Sequence, residues 1–132
     1  MAHGIYTRAQ AFAEEASRQA ELANNNALRI KALLLMARAS AAAGDTRPAH
    51  TTMEQAFGLV TPDVPTVERA ECMVVLADLL EAGVLTSDRP SRALLEEAEA
   101  IYRDAAALGE ADRLGRRLRA MSAMFEVPTA AQ

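Results

Sequence analysis

The sequence predicts an all-α protein of about six helices, and three observations carry that reading. Apolar residues recur at steps of three and four along nearly the whole chain, and no stretch alternates at period two. Ala supplies 30 of the 132 residues while aromatic residues make up only 4%. Ala is the strongest helix former, and a sheet wants the aromatic and β-branched residues that are scarce here. Gly, Asn and Pro fall between the periodic segments, where helices stop and start.

The first segment places Ile5, Ala9, Phe12, Ala16, Ala20 and Ala23 on one face, which is expected to turn inward. Asn24-Asn25-Asn26 ends it, because Asn competes for backbone hydrogen bonds. The second segment carries Ala27, Ile30, Leu33, Leu34, Ala37 and Ala41 and stops at Gly44, where a left-handed backbone suits glycine. Asp45 or Thr46 then caps the third, with Pro48 in its first turn. That helix aligns Ala49, Met53, Ala56 and Val60, with Phe57 beside them, and Thr61-Pro62-Asp63-Val64-Pro65 breaks it.

The fourth segment starts near Thr66. Its centre, Cys72 to Leu80, is apolar almost all round, the pattern of a helix covered on two sides, so it belongs in the middle of the fold. Gly83 ends it, and the loop Val84–Arg89 leads to Pro90, just inside the next helix start. The fifth segment presents Leu94, Ala98, Ile101, Ala105 and Leu108, with Leu95 and Tyr102, and Gly109 closes it. The sixth presents Ala111, Leu114, Leu118, Met121 and Phe125. The expected organisation is one domain over residues 1–132, ordered from about 5 to 126, with a frayed tail at 127–132. Short connections should set consecutive helices antiparallel.

Composition narrows the function as well. Fourteen basic against 18 acidic residues give a net charge of −4, no footprint for nucleic acid. A lone Cys excludes a disulfide framework or a Cys-based zinc site within one chain. The longest apolar runs, such as 32–37, are far too short for a membrane span, and Met1-Ala2-His3-Gly4 does not open a signal peptide, so a cytoplasmic protein is expected. His3 and His50 show no acidic partner at metal spacing, and no phosphate-binding Gly pattern or nucleophile elbow is present. Cys72 lies in an apolar run without neighbouring cations and reads as a buried, inert thiol. The six Met residues mostly sit at core spacing. No enzyme, metal or cofactor is expected. Arg113, Arg116, Arg117 and Arg119 form the one basic patch, diluted by Glu110 and Asp112; it reads as a solvated helix face or as a contact for an acidic partner.

The chain also repeats itself. Arg47-Pro48, Glu54-Gln55-Ala56 and Leu59 shift by 42 positions onto Arg89-Pro90, Glu96-Glu97-Ala98 and Ile101. Ala37 and Gly44 match Ala77 and Gly83 at offsets of 40 and 39, and Glu14-Glu15-Ala16 matches Glu54-Gln55-Ala56 at 40. The second inter-helix loop is therefore about three residues longer. A period near 40 with two helices per unit is that of a helical-hairpin solenoid.

The second and third segments resemble a tetratricopeptide repeat. Ala37 stands where that family has a small residue mid-helix, Gly44 at its turn, and Ala49 and Ala56 at its two small positions on the second helix; Pro62 matches its terminal Pro one place late. Leu33, Met36 and Ser40 replace the family's large aromatics, and Ser91 replaces the first small Ala of the next unit. The longer period and Ala/Leu-rich texture are more similar to the divergent arrays of large bacterial ATP-dependent transcription regulators. The resemblance covers roughly residues 8–125 and implies antiparallel hairpins stacked as a short right-handed solenoid. The chain begins on the second helix of one unit and ends on the first helix of another, so both ends look cut from a longer array or capped by a partner. The last helix keeps Leu118, Met121, Met124 and Phe125, and an exposed terminal face of this kind would promote a homodimer.

The resemblance further implies a peptide-binding groove lined by the first helices of each unit. The matching positions are Lys31, Leu34 and Arg38 on the second segment, Glu71, Val74 and Asp78 on the fourth, and, in poorer register, Leu114, Arg117 and Met121 on the sixth. Lys31 with Glu71 and Arg38 with Asp78 can instead pair across adjacent helices. The expected function is a non-catalytic protein–protein interaction module with a protein or peptide partner, neither nucleic acid nor membrane. The alternative is a small-molecule-sensing helical domain with a pocket between helices near Phe57, Met73 and Leu76.

Overall fold

The computed structural model describes residues 2–22, 25–61 and 65–126; within the helices, the side chains of residues 2–7, 17, 20–22, 125 and 126 are not described. Six α-helices make up the described chain: α1 (Ala2–Leu22), α2 (Asn26–Ala42), α3 (Thr46–Gly58), α4 (Val67–Glu81), α5 (Ser91–Asp104) and α6 (Leu108–Glu126). No strand occurs among the described residues.

Helix starts follow the capping residues. The Asn25 side chain accepts the Leu28 amide at 3.1 Å and the Thr66 hydroxyl accepts the Arg69 amide at 3.2 Å. Asp45 takes the cap position of α3 without a side-chain cap bond. Three helix ends share one device, in which a left-handed residue lets the next amide reach back six residues in all. Gly44 (φ 84°) lets the Asp45 amide donate to the Ser40 carbonyl at 2.8 Å, and Gly83 (φ 76°) does the same for Val84 and Leu79 at 2.9 Å. The third is Ala106 (φ 61°), with Ala107 donating to Tyr102 at 2.8 Å. An L-residue pays steric strain there that glycine avoids, on the order of 1 kcal/mol. Ala106→Gly should therefore raise stability by up to about 1 kcal/mol, less the extra unfolded-state freedom of glycine, a gain readable as a higher urea midpoint at unchanged m-value.

Two apolar clusters meet on α4. The first joins Ile30, Leu33, Leu34 and Ala37 of α2 to Ala49, Met53, Ala56 and Val60 at α3, to Cys72, Val75 and Leu79, and to Leu85 in the following loop. The second joins Ala70, Met73 and Ala77 to Leu94, Leu95, Ala98, Ile101 and Tyr102 of α5 and Ala111, Leu114 and Leu118 of α6. Alternate sides of α4 thus face opposite clusters, as its all-round apolar pattern requires. Buried alanines at 37, 49, 56, 77 and 98 carry no side chain beyond Cβ, so the backbones approach closely. Consecutive helices pack on each other, and α4 also packs on α2; no other pair of helices comes into backbone contact among the described residues, so neither α1 and α6 nor α3 and α5 do.

Several expectations are corrected. Phe12, predicted to face inward, is 72% exposed, while Ala13 is buried. The inner face runs along Ala9, Ala13 and Ala16, because a stripe of alanines seats α1 on α2 more closely than a phenyl ring permits. Gln10 on that side donates to the buried Ser40 hydroxyl at 3.0 Å. The turn after α5 falls at Ala105–Ala107 rather than at Gly109, which leaves Ala105 and Leu108 exposed. Pro90 caps α5 instead of sitting inside it, so the α4–α5 connection runs from 82 to 90 against 43–45 for α2–α3. The apolar face predicted to be bare on the C-terminal helix is covered in part: Leu118 is buried and Met121 half-buried against the second cluster, while Met124 is exposed. The Phe125 side chain, Pro62 and the tail predicted at 127–132 lie outside the described residues.

Candidate functional site

Near its C-terminal end α4 carries Asp78 and Glu81 toward its neighbours, and arginines from α2 and α6 meet them. Arg38 on α2 reaches Asp78 at 2.8 Å, and Arg117 on α6 reaches the other oxygen of the same carboxylate at 2.7 Å. Arg117 also pairs with Glu81. Burial works against the Arg117 charge, yet the hydrogen bonds to Glu81 and Asp78 outweigh it and hold the guanidinium above its ordinary value. The predicted basic patch is therefore divided. Arg117 turns to α4, while Arg113, Arg116 and Arg119 stay exposed.

A second row runs parallel to the first. Lys31 on α2, Glu71 on α4 and Glu110 on α6 interact through their charges without a direct ion pair between Lys31 and Glu71. Desolvation raises the Glu71 pKa above its ordinary 4.5; Lys31 pulls it back, and Glu68 and Glu110 push it further up. The Tyr102 phenol beneath is pushed up to about 12, first by burial and then by Glu71 and Glu110. Because the folded state holds the Glu71 proton more tightly than the unfolded chain, the group's contribution is fully present below pH 4.5 and is lost as pH rises through the raised value. Glu71→Gln should accordingly be more stable than the parent at pH 7, with that advantage shrinking on acidification to 4.5 and below, as read from urea midpoints at several pH values.

Between α2 and α4 these residues border a cleft of about 300 Å³ lined by Lys31, Leu34, Leu35, Arg38, Glu71 and Val75. Of the predicted groove residues, Lys31 and Arg38 are exposed, Glu71, Val74, Asp78 and Arg117 are half-buried, and Leu34 is a buried floor residue. Val74 packs toward the second cluster and does not line the cleft. Leu114 is buried in that cluster, away from any groove, because the step from α4 to α6 is 39 residues, as from Asp78 to Arg117, which brings Glu110 rather than Leu114 level with Glu71. The sequence reading passed over Leu35 and Leu28, exposed by 42% and 45%. They are seven apart on α2, one step from Lys31 and Arg38, and that spacing among charged residues was the available signal. It also passed over Glu81 and the group Arg69–Glu97–Arg89.

Cys72 is fully buried and its thiol is pushed up to about 12, first by burial and then by Glu71 and Glu68. His50, expected without an acidic partner, pairs through Nδ1 with Glu54 at 2.8 Å, one helical turn on. No group of three or more potential ligands gathers as a metal site among the described residues, and no helix is long and apolar enough to cross a membrane. The fold and site define an all-helical chain whose α2, α4 and α6 are tied across one face by a ladder of charges. Comparison with protein-family models, curated proteins and solved structures gives no match.

Proposed function

We propose that the chain is a non-catalytic protein-interaction module, a short right-handed solenoid of helical hairpins similar to tetratricopeptide arrays, which holds a peptide or helix against α2, α4 and α6. One observation carries the reading: positions 38 and 78, which correspond under the internal repeat, lie in direct contact, and Arg117, a further 39 residues on, meets the same carboxylate to complete an Arg–Asp–Arg ladder. Units stacked by simple repetition bring equivalent positions side by side, whereas an up-and-down bundle has no reason to. Among the described residues α1 and α6 make no backbone contact, which is in keeping with an open stack. The cleft beside the ladder offers an apolar edge at Leu35 between opposite charges at Lys31 and Glu71, suited to a segment with an apolar anchor flanked by both signs of charge. Such a module in a regulator would carry partner contact or self-association. Phe12, exposed on a helix that among the described residues packs only on α2, supports a second copy as one partner, and dimeric mass in light scattering would show it.

Reversing Arg38 would also break the ladder, so the cleaner test is Lys31→Glu combined with Leu35→Ala. Cross-linking capture from native lysate should recover a partner whose cross-links fall on α2 and α4. The double variant should lose it with helicity unchanged. Equal recovery by the variant would remove the cleft from the interface.

A second reading, a small-molecule-sensing domain, draws on a separate feature. A cleft of about 370 Å³ opens at Phe57, Met73 and Leu76, on the side of α4 shared by α3 and α5.

A further inference from the structure

We propose that this second cleft takes an elongated amphipathic carboxylate, with an aliphatic chain along Phe57, Met73 and Leu76 and an anionic head at Arg89. The inference rests on the small-molecule reading and adds the ligand class to it.

The cleft follows from the topology. α3 and α5 each pack on α4 and not on one another, and the long 82–90 connection spans the gap between them. Met73 and Leu76 form the floor, Phe57 and Val60 one wall, and Leu94 the other. A neighbouring recess of about 300 Å³ shares Phe57, Leu76 and Ser87 and continues past Met53 and Leu85 toward His50. The apolar surface is thus longer than it is wide, which matches a chain better than a compact ring. Leu85 is itself buried in the first cluster, so the connection is anchored and the cleft is preformed.

The two ends differ in charge. At one end Glu97 divides its oxygens, Oε2 to Arg69 and Oε1 to Arg89, each at 3.0 Å, so one carboxylate serves two guanidinium groups. The Arg89 side chain is 43% exposed and donates at 3.4 Å to the Ala93 carbonyl, a neutral acceptor. The adjacent Asp88 is exposed and does not line the cleft. The planar Arg89 guanidinium lines the cleft and has more N–H donors than its bonds to Glu97 and Ala93 use, so it is well suited to a further carboxylate, whereas an ammonium head would meet a like charge. At the other end His50 is matched by Glu54. Charge therefore orients the ligand, head toward Arg89 and tail toward Met53.

Methyl-labelled methionine gives a local readout in the full chain, with Met73 and Met53 lining the cleft and its recess and the exposed Met124 outside both. Decanoate, decanol and decylammonium would be titrated below their aggregation thresholds. Saturable shifts of Met73 and Met53 with decanoate, a still Met124, weaker binding of decanol and none of decylammonium are expected. Arg89→Gln should weaken decanoate about tenfold, the scale of one charge-assisted hydrogen bond. Should that variant lose helicity, Ser87→Glu, on an exposed lining residue, places a repelling charge at the head end and should abolish binding. Equal binding of all three probes, or decanoate binding indifferent to both variants, overturns the anionic head and leaves the small-molecule reading standing. No shift at Met73 and Met53 with any probe overturns both, and leaves the cleft to apolar side chains of a protein partner.

Discussion

Leu95→Ala should cost about 2–5 kcal/mol, a large share of the 5–15 kcal/mol that holds a domain together. Leu95 is 0% exposed and lies in the second cluster, where α4, α5 and α6 converge. Removing its branched end leaves a cavity that helices already seated on alanines cannot readily close. The more informative result concerns the first cluster. Because α4 supplies both, damage beside α5 should loosen the far side in the same transition. Cys72 reports that far side, being buried in the first cluster with its thiol pushed up to about 12. In the variant, the urea midpoint for Cys72 alkylation should fall together with the midpoint for loss of helicity. A lag between the two would mean that the clusters unfold separately.

Asp78→Ala should cost about 1–2 kcal/mol, more than a single exposed ion pair, for which about 0–1 kcal/mol is usual. The carboxylate is only 27% exposed and accepts from two arginines on two different helices, so its loss leaves both without that acceptor. The partners do not lose equally. Arg117 retains Glu81, whereas Arg38 pairs with no second acid among the described residues. Double-mutant cycles in urea should therefore give a larger coupling of Asp78 with Arg38 than with Arg117. Asp78→Asn keeps the shape and should recover little, because the attraction is between charges. Equal stability of Asp78→Ala and the parent would reduce the ladder to a surface decoration.

The legible part of this chain was what repeats. Helical periodicity located six segments, and the residues with special backbone needs, Gly44, Gly83, Asn25 and Thr66, marked their ends. The unbroken apolar character of Cys72 to Leu80 placed α4 at the centre, since only a helix covered on two sides can bury such a surface. Repeat arithmetic brought Arg38 and Asp78 to equivalent positions, and they meet at 2.8 Å. Where a choice depended on neighbours, the reading slipped. Phe12 and Ala13 are both apolar and adjacent, and only the closeness of α2 selects the smaller one. Ala106 has no intrinsic call to the left-handed region; the need to turn α6 back onto α5 imposes it.

By itself, then, the order of residues determined the helices, their boundaries to within a turn except at the end of α5, and the central position of α4, because these depend on local propensity and on how much apolar surface each segment must hide. Tertiary structure alone decided that Arg117 joins Arg38 on Asp78 and also takes Glu81, how far α6 is shifted against α4, and that α3 and α5 stand apart over an apolar cleft with Arg89 at its end. Those outcomes depend on distances of a few ångströms between segments far apart in the chain, set by the joint packing of all six helices.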